Sequence, residues 1–127
     1  MSDYFKGMFR FLYSANSDYS DPRVDTKTLE STLTPNAYRH MVVSCLVAGT
    51  TLELGEFTTT VDTIFVRNLD ATYFVELRWT SQSTANKQKL PAGKCFYIPA
   101  ATAANDLVIA ADTAAVDCEV FIVGTKA

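Results

Sequence analysis

The stretch Val61–Thr80, VDTIFVRNLDATYFVELRWT, decides the fold. In its second half Tyr73, Val75, Leu77 and Trp79 share one parity, and Thr72, Phe74, Glu76 and Arg78 share the other. A side-chain period of two marks a half-buried strand. Its first half, Thr63 to Asn68, is apolar and β-branched, with Ile64 and Val66 on one parity and Thr63, Phe65 and Arg67 on the other. Between the halves lies Asn68-Leu69-Asp70-Ala71, rich in turn-forming residue types. The stretch is predicted to be a β-hairpin at the centre of a small all-β domain, with Trp79 on its core face.

Working outward, the rest of the chain supplies further strands. Arg39–Val47, Thr51–Leu54, Lys94–Ile98, Leu107–Ala111 and Cys118–Val123 are apolar and β-favouring, with Gly55, Pro99 and Asn105-Asp106 as punctuation. Thr34, Pro35 and Gly49 would also frame a helix over the first of these, but Val42, Val43 and Val47 favour the strand. Ser81–Gln88 reads as a polar loop, Leu90–Gly93 as a turn and Ala100–Asn105 as a loop. About eight strands spaced by roughly 8–12 residues predict an all-β fold. The expected architecture is a two-sheet antiparallel sandwich, jelly-roll-like, with a partly open barrel as the alternative.

The first 35 residues read differently. Tyr4–Tyr13 is predicted as a strand placing Phe5, Phe9, Phe11 and Tyr13 on one face; a helix would instead gather Phe5, Met8, Phe9 and Leu12. Ser14–Arg23 is a polar loop, and Thr-rich Val24–Leu33 an edge strand or extended arm. The expected organisation is an N-terminal strand, loop and arm over residues 1–35, making subunit contacts, and a β-sandwich over 36–127.

Length and composition bound the function. The chain has 127 residues, one domain's worth, with 48% hydrophobic and 20% charged residues. Its formal charge is −3 and its eleven basic residues are scattered, which disfavours nucleic acid as the main partner. No apolar run approaches a membrane-spanning length, and no secretory leader is recognisable. Cys45, Cys95 and Cys118 are an odd number without close spacing, and no Asn-x-Ser/Thr acceptor occurs. Both features fit folding in a reducing cytoplasm.

No chemistry-bearing constellation emerges. The one histidine, His40, would face away from Cys45 on a strand. One His and three dispersed Cys do not make a zinc set. Asp106, Asp112, Asp117 and Glu119 match no calcium loop, and Glu53 and Glu56 read as surface charges rather than a glycosidase pair. Gly7, Gly49, Gly55, Gly93 and Gly124 stand alone, so no phosphate loop is present. No catalytic, cofactor or metal site is expected. Phe74, a lone aromatic on the polar face of its strand, is a candidate anchor for a partner.

Residues Thr51–Phe57 (TLELGEF), Phe65–Leu77 (FVRNLDATYFVEL), Leu90–Gly93 (LPAG) and Ala110–Val116 (AADTAAV) follow one another before a closing apolar strand. This pattern of strands and turns, over roughly residues 50–124, resembles small β-rich virion proteins of tailed bacteriophages. The resemblance implies a structural role: most directly a capsid decoration or cement protein that stabilises the head surface, or else a tail or fibre component. It implies a homo-oligomer, with a trimer favoured, contacts to the major capsid protein or other virion proteins, and a place in the virion after synthesis in the host bacterial cytoplasm. It transfers no functional residue, since the shared residues mark turns and core. The candidate contact residues are Phe5, Phe9, Phe11, Tyr13 and Phe74. A carbohydrate-binding module on the same architecture is the other reading, and a cupin-type enzyme is disfavoured by the missing His cluster.

Overall fold

The computed structural model describes residues 4–33, 35, 37–52, 60–79, 87–98 and 107–125. Its described residues form twelve strands and no helix, in four antiparallel sheets. The chain divides into two compact units, Met1–Thr34 and Pro35–Ala127.

The first unit is a two-stranded ribbon in two segments. The outgoing strands are β1 (Phe5–Phe9) and β2 (Leu12–Ser14); the returning strands are β3 (Pro22–Asp25) and β4 (Leu29–Leu33). β1 pairs with β4, from Phe5 opposite Leu33 to Phe9 opposite Leu29, and β2 pairs with β3. The ladder is interrupted at Arg10-Phe11 and bridged there by backbone and hydroxyl: Phe11 N–H donates to Thr26 Oγ1 at 2.9 Å, and Thr26 N–H to the Phe11 carbonyl at 3.1 Å. Tyr4–Tyr13 is therefore extended, but as two strands rather than one. The helical alternative does not form. Val24–Leu33 returns as the ribbon's second half.

The described residues of the second unit form eight strands: β5 (Ala37–Cys45), β6 (Thr50–Leu52), β7 (Thr60–Asn68), β8 (Val75–Trp79), β9 (Lys87–Leu90), β10 (Cys95–Ile98), β11 (Leu107–Ala111) and β12 (Val116–Thr125). Their pairing is nested. β8 meets β9, β7 meets β10, β6 meets β11 and β5 meets β12, as in one long hairpin. Rolling that hairpin also brings β7 onto β12 and β8 onto β11. The result is two sheets, β10-β7-β12-β5 and β6-β11-β8-β9. This is the jelly-roll connectivity, which closes two Greek keys around one core.

Two expectations need correction. First, β7 and β8 do not form a hairpin; they lie in different sheets, and Asn68–Tyr73 carries the chain across the corner between them. Second, KQKL (Lys87–Leu90), which reads as loop and turn, forms β9.

The alternation itself is realised. Val75 and Leu77 are buried while Glu76 and Arg78 are half-exposed. Ile64, Val66, Val120 and Ile122 from one sheet join Leu52, Leu77, Leu107 and Ile109 from the other in a single apolar cluster. Burying each such side chain contributes about 1.5–3 kcal/mol. The side chain of Trp79 lies outside the described residues, as do Glu53, Glu56, Asp106 and residues 81–86 and 99–106.

Candidate interaction surface

In the first unit no described side chain is buried. A two-stranded ribbon supplies no second layer of its own, and its described apolar residues stay at least partly accessible. Phe11 and Tyr13 are 64% and 69% exposed, and Tyr4, Met8, Tyr19, Val24 and Leu29 are exposed with them. Phe9 and Phe11 stack obliquely, with ring centroids 5.9 Å apart. Tyr13 sits opposite Val24. Phe5 is half-buried on the same face of β1 as Phe9.

Polar contacts hold the ribbon's shape. Arg10 grips Asp25 through two nitrogens, at 2.9 and 2.6 Å. Lys27 adds its backbone N–H at 2.8 Å and its ammonium at 3.0 Å. The Arg10 hydrogen bonds, helped by those from Lys27, hold the Asp25 carboxyl well below the usual carboxylate range. The loop from Ala15 to Asp21 is closed by Asn16, which donates to Ser20 and accepts from Ser14 and from the Asp21 N–H. Tyr19 and Lys27 take left-handed φ values of 60° and 59° at the two bends.

In the second unit Phe74 is half-buried just before β8, with the Lys89 ammonium 4.2 Å from its ring centroid. The ring therefore serves a cation–π contact on the outer face of its sheet. Beside it Glu76 receives Arg78 at 3.2 Å and Lys87 at 3.4 Å.

The outer face of the other sheet carries a cluster that sequence reading does not assemble. Glu119 lies opposite Arg67 on β7 and Val42 on β5. Its carboxylate takes Arg67 Nη2 at 2.6 Å and His40 Nε2 at 2.8 Å. The His40 hydrogen bond, with the Arg67 charge behind it, lowers the Glu119 pKa. Phe121, opposite both Phe65 and His40, meets the His40 ring edge-on at 5.6 Å, and Tyr38 packs against it at 6.4 Å. His40 and Glu119 stand seventy-nine residues apart, so only the β5–β12 register brings them together. The available signal was the alternation within Ala37–Cys45 and Val116–Thr125, which sets these residues on the face opposite the core.

Cys45 and Cys118 are buried in the core and Cys95 is exposed; all three are free thiols. Cys45 therefore points away from the face that carries His40. Its thiol donates to the Val43 carbonyl at 3.7 Å, and the neighbouring Cys118 thiol together with burial pushes its pKa up. Among the described residues, no group of three or more His, Cys, Asp or Glu side chains could hold a metal ion, and no helix is long and apolar enough to cross a membrane. What these surfaces offer is contact: aromatic rings on the ribbon, and a charged, aromatic outer face on the jelly roll.

No protein-family model, curated protein or solved structure matches the chain.

Proposed function

We propose that this chain is a non-catalytic structural protein of a tailed-phage virion, a capsid decoration or cement subunit that binds and stabilises the head surface as a homo-oligomer. One observation carries the reading: a ribbon ordered by its own hydrogen bonds displays Phe9, Phe11, Tyr13, Tyr19 and Val24 to solvent and buries none of its described side chains. Contiguous exposed apolar surface marks a contact site, and a ribbon of this kind is marginal without one. The jelly roll has its own core and so needs nothing from the ribbon to fold. That division suits a rigid body presented by a contact arm. The connectivity is compatible with capsid proteins, lectins and cupins alike, so fold by itself does not choose among them.

The test is location. Mass spectrometry of gradient-purified particles should find the chain at high copy number, and imaging should place it on the head. Substituting Phe11 and Tyr13 by Ser should release it from particles while the thermal unfolding of the free protein stays unchanged. A chain that remains in the soluble fraction overturns the reading. Density on the tail moves the protein to the tail-associated alternative, and a glycan-array signal in a particle-free chain favours the carbohydrate-binding one.

A further inference from the structure

We infer that the jelly roll pairs with a second copy of itself through strand β5, edge to edge and antiparallel about a two-fold axis near Met41. The inference does not depend on a virion role. β5 ends its sheet: β12 takes one side, and among the described residues no strand takes the other. The strand is nine residues long and contains no proline. Every second residue of such a strand points an N–H and a C=O outward, a template for another strand.

Exposed apolar side chains gather at the same place. Among the described residues of this unit the large exposed hydrophobics are Tyr38, Val42, Leu46, Val47, Leu69 and Tyr73. The first four lie on β5 or the turn that follows it.

The occupant follows from length and charge. The other sheet edges in this unit, β6, β9 and β10, have three, four and four residues. Among the described residues only β5 offers nine, so of these edges only a second β5 pairs along the whole strand. The strand carries Arg39 and His40 and no acidic residue. A two-fold axis at either of these would set like residues opposite each other, which is unfavourable. An axis at Met41 sets Tyr38 against the second copy's Ser44, His40 against its Val42 and Arg39 against its Val43. No basic residue then faces another, and on the outer face each large side chain meets a smaller one. An isologous contact of this kind closes at two copies. It extends the four-stranded sheet to eight strands.

Light scattering coupled to gel filtration tests it on the full chain. At tens of micromolar the wild type should run at twice the chain mass. Val42→Lys, at a side chain 63% exposed and outside the core, should run as a monomer with an unchanged circular dichroism spectrum. Tyr38→Lys should do the same, which guards against a folding defect in one variant. Amide exchange over residues 38–44 should slow on raising the wild-type concentration and stay fast in Val42→Lys. A wild-type monomer, a trimer, or a dimer indifferent to both substitutions overturns the pairing. A trimer would do so while leaving the assembly role intact.

Discussion

The side-chain amide of Asn68, at the end of β7, donates to the backbone carbonyl of Leu90, at the end of β9, across 3.1 Å. These residues belong to different sheets. The same nitrogen donates to the Tyr73 carbonyl at 2.9 Å, and its Oδ1 accepts from the Asp70 N–H at 2.8 Å. Asp70 in turn accepts from the N–H groups of Thr72 and Tyr73. One buried polar side chain thus fixes the corner at which the chain leaves one sheet and enters the other.

Asn68→Ala leaves two carbonyls and one N–H at that corner without their partner. The expected loss is about 2–4 kcal/mol, measured by urea unfolding. Asn68→Asp keeps the acceptor for Asp70 but loses the donor and faces two carbonyls with a carboxylate, so it should be no milder. A loss below about 1 kcal/mol for either would mean that water replaces the amide and that the corner is held otherwise.

The thiols give a direct reading of the core. Cys95 is exposed, whereas Cys45 and Cys118 are inaccessible between the sheets. A colorimetric thiol reagent at neutral pH should react quickly with one equivalent in the native protein and with three after denaturation. Cys95→Ser should abolish the fast phase. Rapid labelling of all three would contradict the packing.

Glu119 predicts a sign for acid sensitivity. Its pKa is lower folded than unfolded, held there by His40 and Arg67. The stabilisation it supplies is therefore present above the unfolded carboxyl pKa, about 4.3, and is lost as pH falls through the lower folded value. Asp70, lowered by the Tyr73 and Thr72 amides, acts in the same direction. Melting temperature should drop below about pH 5, and Glu119→Gln should show a shallower drop. An equally steep drop in the variant would remove Glu119 from the account.

Side-chain alternation made the strands legible, and nothing local made their partners legible. Tyr73–Trp79 reads as a strand from its own residues, and Val75 and Leu77 are buried as that reading requires. No hairpin forms at Asn68–Tyr73, because turn residues such as Asn68 and Asp70 serve a crossing between sheets as well as a tight return. β9 is not legible in the sequence because Lys87, Gln88 and Lys89 are all exposed, so the strand shows no apolar period; Leu90 alone reaches the core. The aromatic residues of the N-terminal segment were visible as candidate contacts, and the structure leaves Phe11 and Tyr13 open to solvent. The Arg67–Glu119–His40 cluster was hidden because it exists only across three strands.

The most direct test follows amide hydrogen exchange residue by residue on the free 127-residue chain. If residues 35–127 form a self-sufficient jelly roll and the ribbon waits for a partner, amides in β7, β8, β11 and β12 should exchange only through global unfolding, and those of β1–β4 should exchange orders of magnitude faster. Equal protection across β1–β4 and β7–β12 in the free chain would contradict it, for then the ribbon would need no partner to be stable.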